Sequence, residues 1–222
     1  MSNLVTYSLE EGVATLTLDD GKANALSLDM IAAINEALDR AEQEAKVLII
    51  SGREAITCAG FDLRVIGSDP EAATRMAKAG GEMLLRIFLF PLPVIVASSG
   101  HAIGAGALLL LAADYRLSAN TECTIMLNEV AGGMPLPGFG VELARARLAN
   151  TAITQTVLFS QPHNPATASE VGFIDQVVEP EVLLTTAEEK ARELAKLDGR
   201  TFAETKQSFR GQIMDKVAAH RF

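Results

Sequence analysis

The 222-residue chain has little of several things that would announce a function. It has two cysteines, Cys58 and Cys123, far apart and in no metal-ligand spacing, and three scattered histidines, His101, His163 and His220. No zinc site can be assembled from them by local motif, and two reduced thiols of a cytoplasmic protein are the expectation. Lysine and arginine number 19 against 28 acids, a formal charge of −9. Neutralising nucleic-acid phosphates needs clustered cations, so this balance argues against sequence-independent nucleic-acid binding, while leaving room for a local basic patch facing an anionic ligand. The longest apolar run, near Ala105–Ala113, is far short of the ~20 residues that cross a bilayer. The N-terminal stretch lacks the basic flank and apolar core of a signal peptide. No repeat of fixed period and no low-complexity segment appears. No serine, histidine and acid stand in a nucleophile-elbow motif.

What is present is apolar: 49% of the residues, enough for one sizeable core. Val5 to Leu9 and Val13 to Leu18 alternate around Glu11-Gly12, which predicts a hairpin. Asp19-Asp20-Gly21 reads as a turn. Ser27 is positioned to cap a helix whose buried stripe is Leu26, Ile31, Ile34 and Leu38. Lys46 to Ser51 and Pro93 to Ala97 read as strands buried on both faces. Residues 53 to 70 read as a long loop, Pro70 to Phe90 as a helix ended before Pro91. Strands follow at Tyr115–Ser118 and Thr124–Leu127. Gly132 to Gly140 reads as a loop, and Val141 opens a helical region to Phe159. Then come a helix at Pro165–Val171, a strand-like run at Phe173–Val178, and helices at Pro180–Leu197 and Thr201–His220. The order implies an α/β fold with helices concentrated late.

Two loops follow buried strands and end in Ala-Gly or Gly-Ala. One is Ser98-Ser-Gly-His-Ala-Ile-Gly-Ala-Gly-Ala, running into four leucines with no acid before Asp114. The dinucleotide pattern G-x-G-x-x-G fails there at its third glycine, since Leu109 stands in that place. A phosphate loop fails too, because Leu109-Leu110 supply neither lysine nor hydroxyl. A helix starting near Gly104–Ala107 has unpartnered N–H groups at its positive end, which can hold a developing oxyanion. The same glycines also serve plain close packing, and pattern alone leaves both readings open. The other loop is Thr57-Cys-Ala-Gly-Phe-Asp-Leu63. Two such loops can aim two donors at one oxygen, provided that they converge.

The paired motifs resemble those of the crotonase (enoyl-CoA hydratase/isomerase) superfamily. Cys58-Ala-Gly-Phe-Asp-Leu63 is similar to its A-G-x-D-L loop, and Gly100 to Arg116 to its glycine-rich turn, helix and D-Y-R tail. Asn24-Ala-Leu-Ser27, Asn128 to Met134 and Ala168 to Val178 resemble three further family stretches in family order, so the resemblance spans nearly the whole chain. It implies a spiral of β-β-α turns over residues 1–178, a C-terminal helical region at 179–222, and a homotrimer or hexamer. The chain ends at Phe222, tens of residues earlier than the resemblance leads one to expect. The implied ligand is an acyl-CoA substrate, with no bound cofactor and no metal. The implied enolate donors are the N–H groups of Ala59 and Ala105. The implied CoA-binding residues are Lys22, Ala23, Ala59, Gly60, Phe61, Asp62, Leu63 and Gly106. Lys22 and Arg64 lie near the two loops and are candidates for the nucleotide end, or solvated charges.

The resemblance also assigns the acids. Family hydratases carry one glutamate on the glycine-rich helix and a second in the P-E stretch. The first position is Leu108 here and the second is Glu129. The Δ3,Δ2-enoyl-CoA isomerase type shares the leucine and the N-E stretch, and a double-bond shift needs one base where hydration uses two carboxylates to hold water. Glu129 follows Ile125-Met-Leu127, so an apolar setting with a raised pKa is one reading and an exposed loop glutamate the other. Asp62 is read as a capping or loop-ordering residue, Asp114 as a turn cap or partner of Arg116, and Glu142 as part of a solvated helix face. Glu82 is an outside candidate bordering the acyl pocket. Isomerase is the first expectation. A specialised hydratase or a non-catalytic acyl-CoA-binding protein of the same fold are the alternatives.

Overall fold

The computed structural model describes residues 4–220. The hairpin β1 (Val5–Glu10) and β2 (Val13–Leu18) forms as the alternation requires. Ser27 caps α1 (Leu28–Glu44), its side chain accepting from the Met30 N–H. The strand β3 (Val47–Ser51) is buried along its length and lies parallel to β2. Then the chain spirals. Each turn lays one strand in a large sheet, one in a small sheet, and a helix between turns. The turns are β3, β4 (Ala55–Cys58), α2 (Leu63–Ser68) and α3 (Pro70–Phe88); β5 (Val94–Ser98), β6 (Gly100–Ile103) and α4 (Ala105–Ala112); and β7 (Tyr115–Ala119), β8 (Ile125–Met126) and α5 (Gly138–Arg147). With β9 (Gln176–Val178), the large sheet runs β1-β2-β3-β5-β7-β9 and the small one β4-β6-β8. Every pairing between these strands after the hairpin is parallel.

The helix α4 is central. All eight of its residues are buried, as expected of a helix that is apolar all round. Its four leucines contribute about 1.5–3 kcal/mol each through burial. The other face of the large sheet is covered by α7 (Leu183–Leu194), whose Leu183, Ala187 and Ala191 pack on Val47, Ile49, Ile95, Ala97 and Leu117. Among the described residues no helix is long and apolar enough to cross a membrane.

Several expected elements are corrected. Residues 53–70 are not one loop: they hold β4 and the six-residue α2, the latter capped by Asp62. The stretch after β5 is not a glycine-rich turn but β6, paired with β4. Gly100 is required there because a Cβ would collide with the backbone of Ala55. The loop expected to last to Gly140 ends at Pro137, since Gly138-Phe-Gly140 is the first turn of α5. The helical region after it breaks at Leu148, which is extended, and Ala149 donates to Val171 O before a single π turn at Thr154–Leu158. The helix α6 (Pro165–Val171) is as expected, while β9 (Gln176–Val178) is shorter than the apolar run suggests. A 3-10 turn at Pro180–Val182 precedes α7. The last expected helix is two, α8 (Gly199–Arg210) and α9 (Ile213–Ala218), broken at Gly211. That break turns the chain so that His220 packs on Gly138 and reaches Glu142 on α5.

Candidate active site

The small parallel sheet delivers three loops from the C-terminal ends of its strands, the place where parallel strands commonly meet ligands. They are Ala59–Asp62 after β4, Gly104-Ala105 after β6, and Asn128-Glu129 after β8. Gly104 N donates to Met126 O at 2.8 Å, so pairing with β8 lasts to the point where α4 begins. Gly104 has φ +54, a left-handed conformation that favours glycine, and starts α4 abruptly. The first helical N–H, that of Ala105, has no partner among the described residues. It lies at the positive end of the helix dipole.

The second donor differs from the expectation. Ala59 N–H donates to Ala23 O at 3.0 Å and is therefore occupied. In the same loop Leu26 bridges to Phe61: Leu26 N donates to Gly60 O (2.8 Å) and Asp62 N to Leu26 O (3.4 Å). Asp62 N–H faces Leu26, so Phe61 N–H, one residue earlier, faces the opposite way. It has no partner among the described residues. Gly60, at φ +90, brings this loop onto α4: a Cβ there would lie 2.8 Å from Ile103 O and 3.5 Å from Ala105 N. Phe61 N–H and Ala105 N–H are thus the free donors of the two touching loops. Ala59 serves as an anchor instead.

Glu129 stands across from them. A Cβ on Gly104 would meet Asn128 Oδ1 at 2.9 Å and Glu129 Oε1 at 3.4 Å, so this carboxylate lies over the start of α4. Its Oε2 is buried and has no hydrogen-bond partner among the described residues. Burial pushes its pKa up from the ordinary value of 4.5. The loop carrying it is held by Gly132 N to Asn128 O (2.9 Å), Met134 N to Glu129 O (2.9 Å), and Ala131 N to Ser160 Oγ (3.2 Å). Ser160 is buried at φ +48, and nothing in its sequence neighbourhood points to this role.

Leu108 follows Ala105 by one turn of α4 and is 1% exposed. Its side chain and that of Leu136 rest against Gly140 of α5, so the wall beside the donors is apolar. Phe61 and Phe139 seat their rings on Gly80 and Gly81 of α3, where a Cβ on either glycine would clash. Gly106 lies against the Cys58 carbonyl in the same way.

The remaining candidates divide. Ala23 touches the site through Ala59, while Lys22 is exposed, its carbonyl accepting from Arg53. Asp62 caps α2 and is gripped by Arg64, whose guanidinium holds its carboxyl below the usual range. Leu63 is 69% exposed. Glu82 is exposed on α3 and is not a wall of the site. Asp114 does not pair with Arg116. It pairs with Lys206 (2.6 Å) and Arg210 (2.8 Å), while Arg116 takes Asp175. Glu142 is buried, not solvated, and pairs with Arg145 and His220. Asn24, fully buried at φ +51, ties Leu18 O and Thr57 O together and so fixes β4 to the first hairpin.

The chain and its fold have counterparts among known proteins. The family described as "Enoyl-CoA hydratase/isomerase" matches residues 8–221. A Bacillus subtilis protein named "Probable enoyl-CoA hydratase" is 29% identical over 99% of this chain and 89% of its own. The Rattus norvegicus protein named "Enoyl-CoA delta isomerase 1, mitochondrial" is 33% identical over 79% of this chain and 62% of its own. A crystal structure of an enoyl-CoA hydratase/isomerase family protein from Pseudomonas syringae superposes with a TM-score of 0.96. It is 41% identical, with 98% of this chain and 95% of that one covered.

Proposed function

The chain belongs to the enoyl-CoA hydratase/isomerase family, and from that premise we propose that it moves the double bond of an acyl-CoA from Δ3 to Δ2. Glu129 is the proton shuttle. Its carboxylate takes a proton from C2 of the 3-enoyl thioester. The electron pair left behind spreads onto the thioester oxygen, which the N–H groups of Phe61 and Ala105 receive. A donor aimed at developing charge in a dry site is worth about 3–4 kcal/mol. The double bond then settles between C2 and C3 as the protonated Glu129 returns the proton to C4. No atom is gained or lost.

The observation that carries this reading is Glu129, whose Oε1 lies over the start of α4 and whose buried Oε2 has no partner among the described residues, together with a fully buried Leu108 one turn into that helix. Hydration needs a water held on the alkene, and an apolar Leu108 gives that water nothing to bond to. The B. subtilis relative's name favours the hydratase alternative. Product analysis decides. Offered 3-hexenoyl-CoA, the protein is expected to form 2-hexenoyl-CoA. Offered 2-hexenoyl-CoA, it is expected to form no 3-hydroxy product. A hydroxyacyl product at a comparable rate establishes the hydratase instead, and turnover of neither leaves an acyl-CoA-binding protein. A homotrimer or hexamer is the assembly we propose, and the exposed Val130, Leu158 and Phe159 near the Glu129 loop suit a subunit contact.

A further inference from the structure

A deep cleft among the described residues lies away from Glu129. It lies where the end of α3, the C-terminal half of α5, α8 and α9 meet, has a volume of about 1060 Å³, and contains none of the three loops described above. Asp114, which lines it, follows the end of α4, whereas Ala105 begins that helix. The two sites are separated by the length of α4.

The cleft is cationic in an acidic protein. Its lining holds Arg145, Arg147, Lys206, Arg210 and Lys216 against Asp114 and Glu142. Five cations against two carboxylates leave a surplus of three, while the whole chain carries −9. Asp114 is shared by Lys206 and Arg210, so it satisfies neither in full. Arg147 spends one amino group on the carbonyls of Ala113 and Asp114, and its buried Nε has no partner among the described residues. These cations also oppose one another. Burial, with Arg116 and Arg210 nearby, pushes Arg147 down to about 10. Burial, with Arg210 and Arg147, pushes Lys206 down to about 8 despite Asp114. An arginine offers five donors and a lysine three, more than the two carboxylates and the neighbouring carbonyls accept. Beside it stands Phe209, 88% exposed, a ring that no cation or second ring covers among the described residues. Phe88 and Phe202 are already covered, by Arg210 at 4.4 Å and Lys206 at 5.3 Å.

We propose that this cleft binds a small organic anion of the nucleoside diphosphate class, phosphates among Arg145, Arg147, Arg210 and Lys216, and base against Phe209. The volume matches the upper range of small-molecule sites, roughly 300–1,000 Å³. The charge surplus of three matches the charge of such an anion near neutral pH. A bare phosphate leaves the ring unused, and a neutral nucleoside leaves the charge unanswered.

The test is calorimetry on the whole protein with ADP, pyrophosphate and adenosine as separate probes. One ADP per chain is expected, weakening as salt rises, with pyrophosphate weaker and adenosine not bound. The variants are R145Q/K216Q and Phe209→Ser, all three residues being on the cleft's outer wall and absent from the Glu129 site. The first is expected to weaken ADP at least tenfold and the second severalfold. Enoyl-CoA turnover and its KM should stay unchanged in both. Absence of ADP binding overturns the proposal. So does ADP binding that survives both variants but is displaced by an acyl-CoA, since the anion then sits at the substrate site. The binding measurement stands apart from the assigned reaction, because it needs no turnover.

Discussion

Glu129→Gln should lower turnover of a 3-enoyl-CoA by about 10²–10⁴, the range that a positioned general acid–base contributes. The amide fills nearly the same volume at the start of α4 but cannot accept the proton from C2. The N–H groups of Phe61 and Ala105 are untouched, so affinity for acyl-CoA should change little. That split, with kcat lost and binding kept, separates a base from a packing residue. The pH profile gives a second, independent reading. Burial raises the Glu129 pKa above 4.5, so the active carboxylate form disappears on acidification earlier than an ordinary glutamate's would. kcat/KM should therefore fall on an acid limb above 4.5, and the limb should be missing from the residual activity of the variant. The linkage to stability has the opposite direction. A carboxyl with a raised folded pKa stabilises the fold below its unfolded value, and that contribution is lost as pH rises through the folded pKa. At neutral pH the ionised, unpartnered Oε2 costs stability. The variant should then melt no lower than the parent at pH 7. A variant that keeps full turnover removes Glu129 from the mechanism. One that melts much lower makes it structural.

How much of this was legible beforehand follows from the range of the interactions. The hairpin, the Ser27 cap, α3 up to its end before Pro91, and α4 rest on contacts within a few residues, which periodicity and capping chemistry report directly. Glu129 is singled out by the resemblance of its N-E stretch, since the apolar run Ile125-Met-Leu127 beside it leaves a buried and an exposed glutamate both open. The pieces missed are those completed from far away. β4 is four residues long and exists by pairing with β6, some forty residues on. The donor assigned to Ala59 depended on which side of the loop each N–H faces. That is set by Leu26 and Ala23, which lie before the first helix. Asp114 and Glu142 looked like local caps or solvent-facing acids. Their partners Lys206 and Arg210 come from α8 and His220 from just past α9, so no local pattern connects them. Ser160 acts on the Glu129 loop across a gap of 29 residues, with no signature of its own.

The same dependence on distant contacts makes Gly106→Ala the second large expected effect. Gly106 is the second residue of α4, and its missing side chain lets the helix rest on the carbonyl of Cys58. Cys58 immediately precedes Ala59, which is pinned by Ala23, so the β4 loop cannot simply slide away. A methyl group at position 106 would overlap that backbone oxygen, and backbone gives way less readily than a side-chain end. Overpacking of this kind costs about 1–3 kcal/mol, and here the upper end or more is expected. The catalytic loss should be larger than the stability loss. The first turn of α4 carries Ala105, and the displaced loop carries Phe61, so separating them moves both donors off one oxygen. A misplacement near 1 Å can cost about 10²-fold in rate. Melting temperature and kcat should fall together in Gly106→Ala, while Gly199→Ala, whose Cβ meets nothing within 4 Å, should leave the melting temperature close to the parent's. If Gly106→Ala retains full turnover, the two N–H groups are not jointly holding the enolate. The oxyanion reading of the touching loops then fails, whatever Glu129 does.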